Sequence, residues 1–241
     1  MHAATRLAEE DLKIAAKILE WEIGDIWGHV GVRLPQGHAI AVQMFRPAEI
    51  GKKSWLVHFD YSLNKLSGVG TVPREAVIYT EVFKARPDVN AIVHCHAPMC
   101  IALSLADQPV NWIHMQSSRF KGGTPIFPRP IYILDASEGA ALARALEDAS
   151  AIMIKGHGIV TVGKTIDEAC MNALYMERTA KIMAIARLHG YQGPTEESIQ
   201  TLSASREKLF TRPRAKMSHS AEWNYYAAKI KKGEKWTSGW T

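Results

Sequence analysis

The chain has 241 residues, 47% hydrophobic and 22% charged, the composition of one soluble globular unit with a sizeable core, and disorder over most of its length is excluded. Its formal net charge is +5, but residues 206–241 hold nine Lys and Arg against three Glu, which leaves 20 against 21 for residues 1–205. The basic excess sits in the tail, so the near-neutral body is a poor nucleic-acid or anionic-membrane surface. Cys95, Cys100 and Cys170 are odd in number and unpaired in spacing, and no leader pattern opens the chain, so a reduced, cytoplasmic protein is expected. No apolar run approaches the roughly 20 residues of a membrane span.

In chain order, the spacing of Leu12, Ala15, Ala16, Leu19 and Ile23 predicts an amphipathic helix over 7–23, with Thr5 as its cap. Short apolar or alternating runs at 30–34, 39–44 and 55–59, separated by Pro35-Gln36-Gly37 and Gly51, predict an antiparallel meander. Pro73 suits the first turn of a helix running to Arg86, and 89–94 reads as a buried strand. Further expectations are a helix over 97–106, a proline-interrupted edge strand over 126–134, and a helix over 137–147 capped by Asp135 or Ser137. A strand pair at 151–154 and 159–162 flanks the turn Lys155-Gly156-His157-Gly158. A long helix then runs from a Thr165–Glu168 capping box to Gly190. Division at 205/206 separates a catalytic domain, 1–205, from a basic, aromatic extension, 206–241. That extension carries Arg212-Pro213-Arg214, Trp223, Tyr225, Tyr226, Trp236 and Trp240, too aromatic to be wholly solvated, so part of it should pack on the body or on a neighbouring subunit.

Chemistry concentrates in two places. His94-Cys95-His96 ends a strand, where residues two apart share a side, so both imidazoles can converge on one ion while Cys95 faces the core. His157, between two glycines in a turn of the same sheet, supplies a third imidazole, and three histidines with open positions describe a catalytic divalent-metal site. Zinc, manganese, iron and cobalt all suit that donor set. Glu75 lies near a helix start that favours anions.

The ordered set Gly28-His29-Val30-Gly31-Val32-Arg33, Glu75, the block from Arg86 to Pro98 (RPDVNAIVHCHAP) and Gly156-His157-Gly158 resembles the class II aldolase/adducin family. The resemblance implies an α/β fold, α+β in its order of elements, with three α/β/α layers around a mainly antiparallel sheet. It implies a divalent metal on His94, His96 and His157, with Glu75 as acid/base residue. It also implies a homo-oligomer, tetrameric or larger, with active sites near subunit interfaces. Sugar-phosphate aldolases of the family hold phosphate with an asparagine and a serine in the first strand, a hydroxyl-bearing turn, and two serines before the glutamate. Here His29, Gly31, Gln43-Met44-Phe45-Arg46-Pro47 and Pro73-Arg74 stand in those places, and Tyr79 replaces a common histidine.

This pattern is closer to the branch that decarboxylates hydroxylated aromatic, hydroxypyridine or related dicarboxylic acids, in aromatic-compound catabolism, through a metal-stabilised enolate. Glu75 would protonate the carbanion, and His29 would orient the substrate carboxylate or share the proton. Arg33, Arg74 and Arg119 are candidate carboxylate anchors, and Tyr225 a candidate lid. Aldol cleavage of a sugar or sugar phosphate is the alternative lyase reading. A non-catalytic, adducin-like binding module is the alternative from another class.

Overall fold

The computed structural model describes residues 3–34, 39–44, 55–210 and 218–234. The turns expected at residues 35–37 and 51, the segment 45–47, and the tail positions Arg212-Pro213-Arg214, Trp236 and Trp240 lie outside the described residues.

Eight strands form one sheet: β1 (His29–Arg33), β2 (Ala39–Met44), β3 (Leu56–Asp60), β4 (Lys65–Gly68), β5 (Ala91–Cys95), β6 (Ile126–Phe127), β7 (Ala151–Ile154) and β8 (Gly158–Gly163). Their order is β4-β3-β2-β1-β5-β8-β7-β6. Every pairing is antiparallel except β6 with β7. Two-residue alternation gives the central strands two apolar faces, and helices cover both. Val30, Val32, Val93 and Cys95 pack with α1 (Ala3–Ile23), α3 (Pro98–Leu105) and α5 (Ile166–Leu188). On the other face Ile40, Val42, Ile92 and Val160 pack with α2 (Val77–Ala85) and α4 (Ala136–Leu146). The result is the expected three-layer α/β/α arrangement with a mainly antiparallel sheet.

Several local expectations are corrected. Thr5 lies inside α1, which already includes Ala3. The second helix starts at Val77, because residues 74–76 form a tighter turn in which Ala76 N–H donates to Pro73 O at 3.1 Å. The strand expected over 126–134 stops at Phe127, since Pro128 and Pro130 offer no N–H to an edge ladder. Asp135, and not Ser137, caps α4, and Glu138 closes its capping box. Thr165 caps α5, but the Glu168 carboxylate returns to Lys164 N–H, one residue before the cap. The edge strand β4 was not expected.

In the tail, α6 (Glu196–Phe210) runs across residues 205 and 206, and α7 (Ser218–Lys231) packs against α1 and α5. Trp223 and Tyr226 are buried there. Tyr226 Oη donates to Glu22 Oε1 at 2.7 Å, and Arg178 reaches Glu22 and Glu222 at 3.1 and 2.8 Å. Among the described residues no helix is long and apolar enough to cross a membrane.

Candidate active site

The sheet register places the first two histidines. His29 and His94 are partners on β1 and β5, and alternation turns both toward the α2 layer while Cys95 enters the opposite core. The chain leaves β5 at His96 and turns into α3, whose first N–H groups, Met99 and Cys100, donate to the Glu177 carboxylate at 2.9 and 3.0 Å. His157 occupies the β7–β8 turn. Gly156 has φ +65°, and a Cβ on Gly158 would stand 2.5 Å from the Cys95 carbonyl oxygen. Gly156 thus supplies the left-handed turn, and Gly158 lets that turn close against the end of β5.

One ligand atom from each of Glu75, His94, His96 and His157 lies within 4.8 Å of every other. The far nitrogens fix which atoms face inward. His94 Nδ1–H donates to Ile159 O at 3.0 Å, His157 Nδ1–H to Ile131 O at 2.8 Å, and His96 Nδ1–H to Asp25 Oδ2 at 3.1 Å. A carbonyl or carboxylate oxygen only accepts, so in all three rings the Nε2 lone pair is left for the cluster. Nε2 of His94 and of His157 is buried without a hydrogen-bond partner; Glu75 Oε2 stands off at 3.3 and 3.5 Å. Buried, convergent lone pairs with their Nδ1–H groups anchored fit a divalent cation, and the set of three imidazoles and one carboxylate fits zinc, manganese, iron or cobalt alike.

Glu75 is held at its other oxygen, Oε1, which accepts Ile133 N–H at 2.8 Å. Burial pushes its carboxyl up, but the imidazoles of His157 and His94 and the Ile133 amide outweigh this and hold it well below the usual carboxylate range. Residues 128–134, denied a ladder by their prolines, therefore act as a strap that anchors both His157 and Glu75. His29 stands beside the cluster, its ring centroid 5.2 Å from that of His94. Burial, and then His94, draw its pKa down to about 3, so the ring is neutral.

A cleft of about 770 Å³ opens over this group, lined by Trp27, Met44, Trp55, Tyr132 and Leu134 with Arg74 exposed at its mouth. That size and apolar lining suit a small ligand. Of the residues proposed to bind substrate, only Arg74 is brought here. Arg33 spends its guanidinium on the carbonyls of Phe83, Arg86 and Val89 at the end of α2. Arg119 lies over the Tyr175 ring and bonds Asn172. Tyr225, on α7, rests against Tyr226 and Lys229 and does not line the cleft. Sequence reasoning missed Asp25, whose Oδ2 also accepts His96 N–H at 2.9 Å. It also missed the aromatic wall of Trp27, Trp55 and Tyr132.

Residues 20–184 match the family described as Class II Aldolase and Adducin N-terminal domain. The chain belongs to the class II aldolase/adducin family. Among curated relatives, a 3,4-dihydroxyphthalate decarboxylase of Arthrobacter keyseri is 26% identical over 189 residues, covering 72% of this chain and 76% of the relative. An L-fuculose phosphate aldolase of Haemophilus influenzae is 28% identical over 163 residues, covering 65% of this chain and 70% of its own. A solved aldolase II superfamily protein from Pseudomonas syringae superposes with a TM-score of 0.78 at 21% identity, over 97% of this chain and 95% of that one, which shows the shared fold.

Proposed function

We propose that this class II aldolase-family lyase decarboxylates a hydroxylated aromatic, hydroxypyridine or related dicarboxylic acid, as a homo-oligomer. The observation that carries the reading is the cleft. Its Trp27, Trp55, Tyr132 and Leu134 wall suits the face of a flat ring, and Arg74 offers a guanidinium fork to a second carboxylate beside the three-histidine cluster. The name of the Arthrobacter relative supports it. The aldolase relatives share the fold, and the metal and glutamate chemistry would also serve them. They are the second reading.

His94, His96 and His157 would hold a divalent ion through Nε2, with Glu75 adjoining. When bound, that ion supplies a Lewis acid that stabilises negative charge developing on a substrate oxygen. The chain's own residues do the rest. Arg74 pairs with the distal carboxylate and sets the ring's position, and the aromatic wall excludes water from one ring face. As the C–C bond breaks, CO₂ departs and its bonding electron pair stays on the ring carbon. One proton from solvent replaces it. Glu75, whose Oε2 faces the cluster, relays that proton to the carbon.

The test is a product assay of the manganese- or zinc-loaded protein on a panel of ortho-hydroxy aromatic and pyridine dicarboxylates, with fuculose phosphate in parallel. Release of CO₂ from a panel member is expected. Aldehyde from the sugar phosphate with no CO₂ from any acid would transfer the site to the aldolase reading.

A further inference from the structure

Three of the four imidazoles around the cluster have Nδ1–H fixed by an oxygen that can only accept. The fourth, His29, faces a hydroxyl instead, and the geometry decides where its hydrogen goes. Tyr79 Oη lies 2.7 Å from His29 Nδ1 and 3.1 Å from the His29 carbonyl oxygen, and both residues are buried. A tyrosine hydroxyl has one hydrogen. Both contacts are hydrogen bonds only if that hydrogen goes to the carbonyl and Nδ1 carries its own, donating to Oη. If Tyr79 donated to Nδ1, the carbonyl contact would hold no hydrogen.

The backbone is shaped for this contact. A Cβ on Gly31 would stand 2.4 Å from Tyr79 Cε1 and 2.8 Å from Cδ1, so the ring reaches His29 only because residue 31 is glycine. His29, Gly31 and Tyr79 thus form one unit joining β1 to α2. With Nδ1 engaged, no protein group among the described residues bonds His29 Nε2, and His29 lines the cleft.

We infer that Tyr79 is a positioning residue that holds His29 as the Nδ1–H tautomer, so that its Nε2 lone pair takes a hydrogen bond from a hydroxyl of the bound ligand. The specificity follows from the sign of that nitrogen. A bare Nε2 attracts an O–H and repels a carboxylate oxygen or an ether oxygen, which have no hydrogen to give. His29 therefore reads the substrate's hydroxyl, and orientation of the carboxylate falls to Arg74. The hydroxyl specificity rests on the hydroxy-acid reading of the cleft, whereas the tautomer rests on the Tyr79 geometry alone.

Two measurements test it. Long-range proton–nitrogen NMR correlations of the imidazoles, with the His29 signals identified by their loss in His29→Asn, report which ring nitrogen is protonated before any ligand is added. The expected result is protonated Nδ1 and bare Nε2 in the wild type, and a mixture of tautomers in Tyr79→Phe, which keeps the ring over Gly31 and removes only the hydroxyl. Calorimetry of the zinc-loaded protein with salicylate and with its O-methyl ether then measures the preference for a free hydroxyl. That preference is expected to fall about tenfold in Tyr79→Phe and in His29→Asn, the size of one lost hydrogen bond. A wild-type His29 protonated at Nε2, or a Tyr79→Phe protein with unchanged tautomer and unchanged preference, would overturn the inference. If the tautomer behaves as assigned while neither acid binds, the positioning role of Tyr79 stands and the hydroxy-acid reading is what fails.

Discussion

Replacing Asp25 with Asn tests whether His96 is built to be a ligand. Asp25 follows α1, is 8% exposed, and serves three donors: Oδ2 accepts His96 N–H at 2.9 Å and Nδ1–H at 3.1 Å, and Oδ1 accepts Trp27 N–H at 2.9 Å. Burial alone would raise its pKa, but these hydrogen bonds outweigh it and draw the carboxyl from 3.8 down to about 2, so it is ionised at neutral pH. A charge-assisted hydrogen bond contributes about 1.5–3 kcal/mol against about 0.5–1.5 for a neutral one. Asn keeps the shape but only one acceptor oxygen, so with that oxygen on His96 its NH2 group faces the Trp27 N–H; at His96 it forfeits the difference, about 1–1.5 kcal/mol, which converts to roughly tenfold weaker divalent-metal binding. Ala also strands the His96 and Trp27 N–H groups, so about 100-fold is expected, with a fold destabilised by about 2–4 kcal/mol. Zinc competition against a chromophoric chelator measures the first effect, and urea unfolding of metal-free protein the second. Because the folded pKa is depressed, the stabilisation Asp25 gives the metal-free protein is present above pH 3.8 and is lost as pH falls through about 2. An Asn variant with wild-type affinity, or one as weak as His96→Ala, would refute this reasoning.

Glu75→Gln keeps the Ile133 N–H contact but cannot carry a proton, so kcat should fall about 10²–10⁴-fold with the metal still held by the three histidines, as steady-state kinetics at saturating metal beside metal analysis would show. Arg74→Ala should raise KM for a dicarboxylate about 10–100-fold, with a much smaller effect on the matched monocarboxylate, because a single charge-assisted contact is removed. At high pH the tie between α5 and α7 that Tyr175 makes by donating its hydroxyl to Glu222 should loosen. Burial, and then Glu222, push the Tyr175 hydroxyl from 10.0 up to about 12, so its stabilisation is complete below pH 10 and is lost as pH rises toward 12. Tyrosinate absorbance and helix content followed together across that range should change in concert, and Tyr175→Phe should remove this part of the pH dependence.

The parts legible in the sequence were those in which a local rule and the fold agree. The run Ala91–Cys95 is buried at every position, and the period of two alone turns His94 and Cys95 to opposite faces. The cap of α4 was readable to within two residues, Asp135 or Ser137, since its partners are local, and the structure assigns it to Asp135. Other features depend on distance along the chain or on surroundings. Asp25 meets His96 across 71 residues, and no spacing pattern marks a loop carboxylate for that role. Lys65–Gly68 is exposed at all four positions, so no alternation betrays an edge strand. Arg33 is a strand-end arginine like any other until the carbonyls beyond α2 surround it, and Arg119 is drawn to α5 by its contact with Tyr175, which a one-dimensional reading does not order. Arg74 comes to the cleft beside its neighbour Glu75, whereas the Trp27, Trp55 and Tyr132 wall comes from three separate segments.

The most direct measurement is CO₂ release from an ortho-hydroxy aromatic dicarboxylate followed as metal-free protein is titrated with manganese or zinc. The expected result is a rate rising in proportion to bound metal up to one ion per chain, with His94→Ala showing neither tight binding nor CO₂ release. Release at the full rate by metal-free protein or by the His94→Ala variant would contradict the account.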